Sequence, residues 1–404
     1  ARQDESLDGP GSEIFEYCTV RGERYMAQAN IAVGQSGGCT AVINQTLGGI
    51  ISQSQKMKSV NKIYGMRNGI VGLLDNRLAD LTSFSAANLR KLRATPSSAL
   101  GSCRHKLSDE ECDLILRRLR KHDIHYFLLI GGNDTAMTTV RIARFARERG
   151  YELYAVAVPK TIDNDLPFMD HTPGYGSAAT FVASTTQEVG KDTESMRLVD
   201  PIKIVEFMGR NSGWLTAASA LGKKDKKDAP HLIYFPENPF DTDSFLSDVE
   251  RVYKRLGYCV VVISETIRDR HGRRIGERQS GITHDSFGHP YLDSAASRLA
   301  EITEHRLGVR ARYEKPGSIQ RMSMRYISPV DQREAFKVGE EAVRLAVKGH
   351  TRVMVTLKRL TKRPYRFGMG CMPAEKIAGR EKYLPKSFMN RKNNFVSRAF
   401  YEYA

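Results

Sequence analysis

The sequence is poor in cysteine and has no long apolar run, and each absence excludes a class of protein. Only six of the 404 residues are cysteine, and no two form a Cys-x-x-Cys pair, so neither a zinc ribbon nor a secreted disulfide framework is predicted. We expect reduced thiols. No stretch approaches the roughly 18 apolar residues of a membrane-spanning helix, and no basic segment followed by an apolar one begins the sequence. These absences predict a soluble, unexported, cytoplasmic protein with no membrane partner.

Acidic residues are outnumbered, with 46 Asp and Glu against 62 Lys and Arg and a net charge of +16. Such an excess is typical of nucleic-acid-binding proteins, and it also suits a protein that handles highly anionic small molecules. A surface for single-stranded nucleic acid interleaves aromatic and basic residues, but the one dense basic run, residues 223–227, has no aromatic neighbour. We interpret that run as a solvated loop and expect no nucleic-acid partner. A basic nucleic-acid binder is the remote alternative.

The order of apolar and polar segments predicts the fold class. The length suggests two or three structural units of about 100 to 200 residues each, and residues 1–26 are polar and aperiodic, as in an N-terminal tail. Beyond residue 27, short apolar runs alternate with glycine or polar loops and amphipathic segments, which is typical of strand–loop–helix units. We predict an α/β fold of two doubly wound, mainly parallel sheets with helices on both faces. The predicted strands are residues 29–33, 126–130, 153–158, 202–207, 232–235 and 259–264. The predicted helices include residues 40–51, 109–121, 135–149 and 243–256.

Two glycine-rich loops follow predicted strands, at the strand ends where ligands of such sheets bind. The first is G-Q-S-G-G-C-T at 34–40, and the second is G-G-N-D-T at 131–135. Adjacent glycines let the backbone approach a phosphate closely, and a following helix start offers unpaired N–H groups. The same glycines would also suit a tight turn, and Asp134 or Thr135 could simply cap a helix. Two such loops together favour phosphate binding.

The segment P-K-T-I-D-N-D at 159–165 follows the third predicted strand. Two carboxylates beside anion-binding loops would repel phosphate unless a cation or a transferable proton lies between them. Phosphoryl transfer needs both, because metal ions neutralise phosphate charge and a carboxylate accepts the proton of the nucleophile. An Asx-rich surface turn is the alternative for this segment alone.

These segments, together with three others, resemble the phosphofructokinase family in order and spacing over about residues 29–365. The other three are M-G-R at 208–210, S-E at 264–265 and I-Q-R at 319–321. The resemblance implies Mg2+-dependent phosphoryl transfer in which Asp163 deprotonates the 1-hydroxyl of fructose 6-phosphate. It also implies catalytic roles for Asp134, Lys160, Thr161 and Arg210.

The resemblance further implies three sets of binding residues. The donor-binding set is Gly37, Gly38, Arg104, Lys106 and Gly132. The sugar-phosphate set is Thr161, Ile162, Asp163, Met208, Gly209, Arg210, Glu265, Arg312, Ser318 and Arg321. The Mg2+ set is Asn133 and Asp165. Arginine forks suit phosphate oxygens, although a surface ion pair is the alternative for any one arginine.

Two positions bear on the phosphoryl donor. ATP-using bacterial members of the family usually have glycine where Asp134 and Lys160 stand here. A carboxylate at 134 would lie near the place of an α-phosphate, and Lys160 would add positive charge for a small donor. The resemblance therefore favours inorganic pyrophosphate and a reversible reaction. ATP is the alternative donor, and a catalytically silent regulatory subunit is a remote alternative function.

The sequence departs from the family at several positions. Asn133 stands where an aspartate often helps to hold magnesium, and Ser318 replaces a common His or Tyr. Pro201 stands where many relatives offer an arginine to a neighbouring subunit, and Lys203 is a possible substitute. The resemblance still implies a homodimer or homotetramer.

The predicted division of the chain has four parts. They are the tail at 1–26, a donor domain at 27–174 completed by about 320–365, a sugar-phosphate domain at 175–319, and a C-terminal docking extension at 366–404 with no expected chemistry.

Overall fold

Thirteen strands lie in the described part of the protein, which is residues 28–276 and 294–404 of a computed structural model. The tail predicted at 1–26 lies outside the described residues. The strands are β1 (Ala29–Gln35), β2 (Val60–Met66), β3 (Leu78–Asp80), β4 (Ile124–Gly131), β5 (Tyr154–Pro159), β6 (Ile202–Phe207), β7 (Leu232–Tyr234), β8 (Pro239–Phe240), β9 (Cys259–Ser264), β10 (Arg268–Asp269), β11 (Ala311–Glu314), β12 (Val353–Thr361) and β13 (Arg366–Pro373).

Two parallel sheets contain most of these strands. The seven-stranded sheet has the order β13-β12-β5-β4-β1-β2-β3 and is parallel except at its two edge pairs. The four-stranded sheet has the order β11-β6-β9-β7 and is wholly parallel. Strands β8 and β10 form a small separate ribbon. The predicted α/β class with two mainly parallel sheets is confirmed.

Helices in the described ranges connect these strands. They are α1 (Ile43–Ser54), α2 (Ile70–Leu74), α3 (Ala86–Ala94), α4 (Asp109–Lys121), α5 (Asn133–Glu148), α6 (Tyr175–Ser195), α7 (Trp214–Ala218), α8 (Thr242–Leu256), α9 (Ala295–Leu307), α10 (Ile319–Met322), α11 (Pro329–Val347), α12 (Ala374–Ile377) and α13 (Arg398–Tyr403). No helix in the described ranges is long and apolar enough to cross a membrane.

Local sequence explains the elements that were predicted with their observed bounds. All six residues of β6 and of β9 are buried, as expected for central strands covered on both faces. Helix α4 begins with a capping box, in which the Ser108 hydroxyl accepts from the Glu111 N–H and Glu111 accepts from the Ser108 N–H. Its first turn is acidic and its last turn is basic, which complements the helix dipole.

The start of α1 differs from the prediction. Helical hydrogen bonding begins at Ile43 rather than residue 40, and Gly37 has a positive φ of 73°. The glycine loop is therefore longer than expected. Helix α5 begins two residues earlier than predicted, at Asn133, which places Asp134 in its first turn.

The predicted cysteine chemistry is wrong at one position. Cys39, Cys103, Cys112 and Cys259 are free thiols, as expected, but Cys371 in β13 is disulfide-bonded. A disulfide needs only proximity in space, which spacing along the chain does not report.

The basic run at 223–227 forms a turn closed by its own residues. Residues 224–227 are exposed, and the Asp228 carboxylate accepts from the N–H groups of Lys224 and Asp225. This agrees with the interpretation of the run as a solvated loop.

Helices α1 and α11 touch backbone to backbone through two glycines. A Cβ on Gly49 would lie 2.0 Å from the carbonyl oxygen of Phe336, and one on Gly339 would lie 2.2 Å from that of Thr46. Neither distance allows a side chain without separating the helices.

We expect Gly339→Ala to lower the free energy of unfolding by about 1–3 kcal/mol, because the added methyl group overpacks this contact. Urea or thermal unfolding followed by circular dichroism measures the change. Arg333→Ala, at an exposed position of the same helix, is the matched control. Equal stability of Gly339→Ala and the wild type would contradict the close packing described here.

Candidate active site

One cleft lies where the carboxyl ends of both parallel sheets meet. Its cavity has a volume of about 400 Å3. Because β5, β4 and β1 are neighbours in the first sheet, the loops that follow them lie side by side along one wall. The predicted residues that line the cavity are Gly37, Gly38, Arg104, Gly132, Asn133, Asp134, Lys160, Thr161, Ile162, Asp163, Asp165, Met208, Arg210, Glu265 and Arg321.

The loop after β1 lets a ligand approach its backbone closely. Gly37 takes a positive φ that favours glycine, and its N–H donates to the Cys103 carbonyl oxygen at 3.0 Å. A Cβ on Gly38 would lie 2.9 Å from the guanidinium of Arg321. The Nζ of Lys160 donates to the Gly38 carbonyl oxygen at 2.5 Å. Two cations therefore flank this loop, as expected of a polyanion site.

Lys160 is 3% exposed. Burial, together with nearby Arg321 and Arg104, lowers the pKa of its ammonium group to about 8, while Cys39 and Asp163 act in the opposite direction. An anionic ligand would stabilise this buried cation, because the opposite charge would replace the favourable contacts with water that burial has removed.

The loop 161–165 places two carboxylates at the centre of the cleft. Burial and the charge of Glu265 raise the pKa of Asp163 to about 6, against the opposing effect of Arg210 and Lys160. Burial and Asp163 raise the pKa of Asp165 to about 7. Such values suit a carboxylate that must accept a proton near neutral pH.

Hydrogen bonds hold Asp163 in place. Its N–H donates to the Thr161 hydroxyl at 3.1 Å, and its carbonyl oxygen accepts from the Ser212 hydroxyl at 2.9 Å. Ser212 belongs to the loop after β6, so this bond joins the two sides of the cleft. Thr161 therefore orders the loop as well as lining it.

The loops after β6 and β9 form the opposite wall. The Met208 N–H donates to the side chain of Gln320 at 2.9 Å, and the Gly209 N–H donates to the Glu265 carboxylate at 3.4 Å. Gly209 has a φ of 137°, and a Cβ there would lie 2.7 Å from the Ser212 carbonyl oxygen. Gly209 thus shapes the wall without lining the cavity. Gln320, 2% exposed, belongs to the I-Q-R motif and supports this wall, a role that the sequence analysis did not assign to it.

Asp134 stands at the mouth of the cleft. It is exposed in the first turn of α5, where a carboxylate suits the positive end of the helix dipole. The structure therefore brings Asp134 to the cavity that both glycine loops line and gives it a stabilising position at the start of a helix.

Three other predicted residues do not line the cavity. Lys106 is exposed outside it. Arg312 forms an ion pair with Asp200 at 3.0 Å, so it is separated from Arg321, which reaches Gly38. Ser318 precedes α10 and makes no side-chain cap. Lys203, considered as an intersubunit cation, is 5% exposed and pairs with Glu314 at 3.2 Å.

The C-terminal extension forms part of the cleft, which the sequence analysis did not anticipate. Gly379, Glu381 and Tyr383 line the cavity. The motif resemblance ends near residue 365, and the letters G-R-E-K-Y match no pattern used above. No signal in the single sequence identifies these residues.

The predicted metal residues differ in what surrounds them. The Asn133 side-chain oxygen accepts from the Gly379 N–H, and its amide nitrogen donates to the Arg380 carbonyl oxygen. Both ends of this side chain are thus occupied. Within residues 28–276 and 294–404, no three His, Cys, Asp or Glu side chains are grouped as a metal site. Asp165 alone of the predicted pair presents a carboxylate to the cavity.

Two parallel sheets that bring glycine loops, buried carboxylates and cations around one cleft define a phosphotransferase. Residues 30–346 match the family described as Phosphofructokinase, and the chain belongs to the phosphofructokinase family.

Named relatives cover most of the chain. The pyrophosphate--fructose 6-phosphate 1-phosphotransferase of Xanthomonas campestris pv. campestris (strain B100) is 40% identical over 376 residues, 92% of this chain and 89% of that protein. The enzyme of the same name from Rhodospirillum rubrum (strain ATCC 11170 / ATH 1.1.1 / DSM 467 / LMG 4362 / NCIMB 8255 / S1) is 40% identical, with 94% of each chain covered. The crystal structure of pyrophosphate-dependent phosphofructokinase from Marinobacter aquaeolei superposes with a TM-score of 0.83 at 34% identity, covering 93% of this chain and 90% of that one.

Proposed function

We propose that the protein transfers a phosphoryl group from inorganic pyrophosphate to the 1-hydroxyl of fructose 6-phosphate, giving fructose 1,6-bisphosphate and phosphate. The observation that carries this proposal is the convergence of the loops at 36–40, 131–135 and 160–165 on one cavity. The names of the relatives at 40% identity support the same substrates.

The residues of the cleft divide into four roles in this proposal. Asp163 accepts the proton of the sugar hydroxyl, and its raised pKa fits that task. Lys160 and Arg210 stabilise the charge of the transferring group. Glu265 accepts hydrogen bonds from the sugar, beside Met208 and Gly209. Arg321 lies beside Gly38, so we assign it to phosphate at the junction of the donor and the sugar, and we leave Arg312 outside the pocket.

A magnesium ion fits part of this site. Burial and Asp163 raise the pKa of Asp165 to about 7, a divalent cation would hold that carboxylate ionised, and oxygen ligands suit Mg2+. We propose that Asp165 would hold the ion together with phosphate oxygens, and that Asn133 would not, because its amide is bonded to residues 379 and 380. When bound, the ion would neutralise negative charge on the phosphates.

A comparison of two donors tests the proposed function. Purified protein is supplied with fructose 6-phosphate, Mg2+ and either pyrophosphate or ATP, and fructose 1,6-bisphosphate is measured. We expect turnover with pyrophosphate. Turnover with ATP alone would replace the proposal with an ATP-dependent 6-phosphofructokinase, and the reverse reaction with added phosphate tests reversibility.

We expect Asp134→Gly to admit ATP at a measurable rate, because the substitution removes both bulk and negative charge at the mouth of the donor site. The quantity to measure is the ratio of kcat/KM for ATP to that for pyrophosphate, which should rise by about tenfold or more, or roughly 1.4 kcal/mol of discrimination. Asp243→Gly, exposed in the first turn of α8, is the matched control. A variant as inactive with ATP as the wild type would refute the steric argument.

We also propose a homodimer or homotetramer in the cytoplasm, with the domain division given above except at the end of the donor domain. Exposed apolar side chains support an interface near the outer edge of the four-stranded sheet, since Leu198 is 94% and Tyr313 is 47% exposed. Strand β13 pairs with β12, so the donor domain in this proposal extends to Pro373. Light scattering after size-exclusion chromatography measures the oligomer.

A further inference from the structure

A short segment of the C-terminal extension, residues 379–384, runs along the cleft and bonds to both of its walls. We call it the clasp. On the donor wall, Gly379 and Arg380 are bonded to the side chain of Asn133. On the sugar wall, the Leu384 N–H donates to the Glu237 carboxylate at 2.8 Å, and that same oxygen accepts from the Gly213 N–H at 2.8 Å. The clasp therefore bridges two loops that belong to different sheets.

Lys382 bonds to the catalytic loop with its backbone and its side chain. Its N–H donates to the Asp165 carbonyl oxygen at 2.6 Å. Its ammonium group donates to the Asn164 side-chain oxygen at 3.2 Å and to the carbonyl oxygens of Met169 at 3.1 Å and Asp170 at 2.9 Å. The three protons of the ammonium group are thus all used. Asn164 lies between the two catalytic-loop carboxylates with a φ of 54° and is fully buried, so this contact holds a left-handed residue at the centre of the loop.

The same lysine contacts the sugar wall. Its carbonyl oxygen accepts from the Trp214 indole N–H at 3.1 Å, and its Nζ lies 5.0 Å from the centre of the Trp214 ring. Trp214 is the first residue of α7 and follows the loop that carries Arg210 and Ser212. Lys382 thereby links the loop 161–165 to Trp214, directly after the loop that follows β6.

Glu381 provides a second link between the clasp and the loop after β6. Its two carboxylate oxygens accept from the Asn211 amide at 2.8 and 3.0 Å, and the Tyr383 hydroxyl donates to it at 3.1 Å. Asn211 follows Arg210 directly. Glu381 also lines the cavity together with Asp163 and Arg210.

We propose that the clasp sets the position of the Asp163 loop relative to Arg210 during phosphoryl transfer, with Lys382 and Glu381 as positioning residues. This inference rests on the proposed function. Positioning of this kind acts on the reacting geometry, in which a displacement of about 1 Å can cost on the order of a hundredfold in rate. It should therefore lower kcat more than it alters binding of the sugar phosphate.

The test uses two variants with matched controls in the full-length chain. Lys382→Met keeps the length of the side chain but removes three hydrogen bonds and the charge, and we expect kcat to fall about ten- to a hundredfold with KM for fructose 6-phosphate changed by less than about threefold. Lys386→Met, exposed in the same extension, should match the wild type. Emission of Trp214, the only tryptophan of the sequence, should shift in Lys382→Met and not in the control.

Glu381→Gln is the second variant. Glutamine keeps the size of the side chain but weakens the two hydrogen bonds with the Asn211 amide, so kcat should fall by about tenfold while KM for fructose 6-phosphate changes by less than about threefold. Glu402→Gln, exposed on α13, is its control. Wild-type kcat in a folded Lys382→Met would overturn the proposal. If that variant does not fold, Glu381→Gln decides, and an unchanged kcat would overturn the proposal.

The wild type is assayed in parallel with pyrophosphate and with ATP. Absence of turnover with both donors rejects the proposed function itself. A loss confined to the clasp variants, with whichever donor the wild type uses, supports the clasp.

Discussion

Asp163→Asn will lower kcat by about 10²- to 10⁴-fold, the range that a positioned general base contributes. The substitution keeps the size of the side chain and leaves the hydrogen bonds of the Asp163 backbone to Thr161 and Ser212 possible. The loop should therefore stay in place while the proton acceptor is lost. Steady-state kinetics give kcat, and calorimetric titration with fructose 6-phosphate shows whether the sugar still binds.

Two results would count against this role of Asp163. A kcat within about tenfold of the wild type would be too small a loss for a general base. Loss of fructose 6-phosphate binding would instead assign the residue to the substrate pocket. Asp243→Asn, at an exposed position, controls for the chemistry of the substitution.

The pH profile of the wild type would test the same role independently. Asp163 accepts a proton only when it is ionised, and its pKa is raised to about 6. Below that pH the carboxyl group is protonated and inactive, so kcat/KM should rise with pH through about 6. Asp163→Asn should lose this limb in its residual activity.

Lys160→Met will lower kcat/KM for pyrophosphate by about 10²- to 10³-fold, as expected when a preorganised charge at the transferring group is removed. Lys160 is buried beside the glycine loop, with its Nζ bonded to Gly38. Methionine fills the space but carries no charge. Lys224→Met, in the exposed turn, is the control, and a loss of less than about fivefold would remove Lys160 from the catalytic set.

The alkaline limb of the wild-type profile bears on the same residue. The pKa of Lys160 is lowered to about 8, so its positive charge, and with it activity, should be lost as pH rises through that value. Burial also lowers the pKa of Lys382 to about 8, against the charges of Asp170 and Asp165. Comparison of Lys160→Met with Lys382→Met assigns the limb to one of these lysines.

Strands and helices were predictable where one local signal was enough. Strands β6 and β9 are continuous apolar runs, and α4 has a capping box with acidic and basic ends, so their bounds follow from the sequence. Strands β2 and β12 mix polar with apolar residues, because part of each lies near the edge or the surface of the sheet. Periodicity alone does not distinguish such strands from loops.

The site was predictable where chemistry is concentrated in a short motif. The loops at 131–135 and 159–165 lie together because parallel strands of one sheet end at one edge, and sheet order was the only missing fact. Arg312 and Arg321 show the limit, since each could bind phosphate but only contacts in space separate them. Glu381 and Lys382 act through residues more than 160 positions away in sequence, which no local pattern reports.

The clasp, β12 and β13 all come from residues after 350, and the Tyr403 hydroxyl accepts from Asn164 at 3.2 Å. During synthesis on a ribosome, the loops 34–40, 131–135 and 160–165 emerge before these later residues. The bonds of the clasp and of Tyr403 to the site can therefore form only after all three loops have been translated.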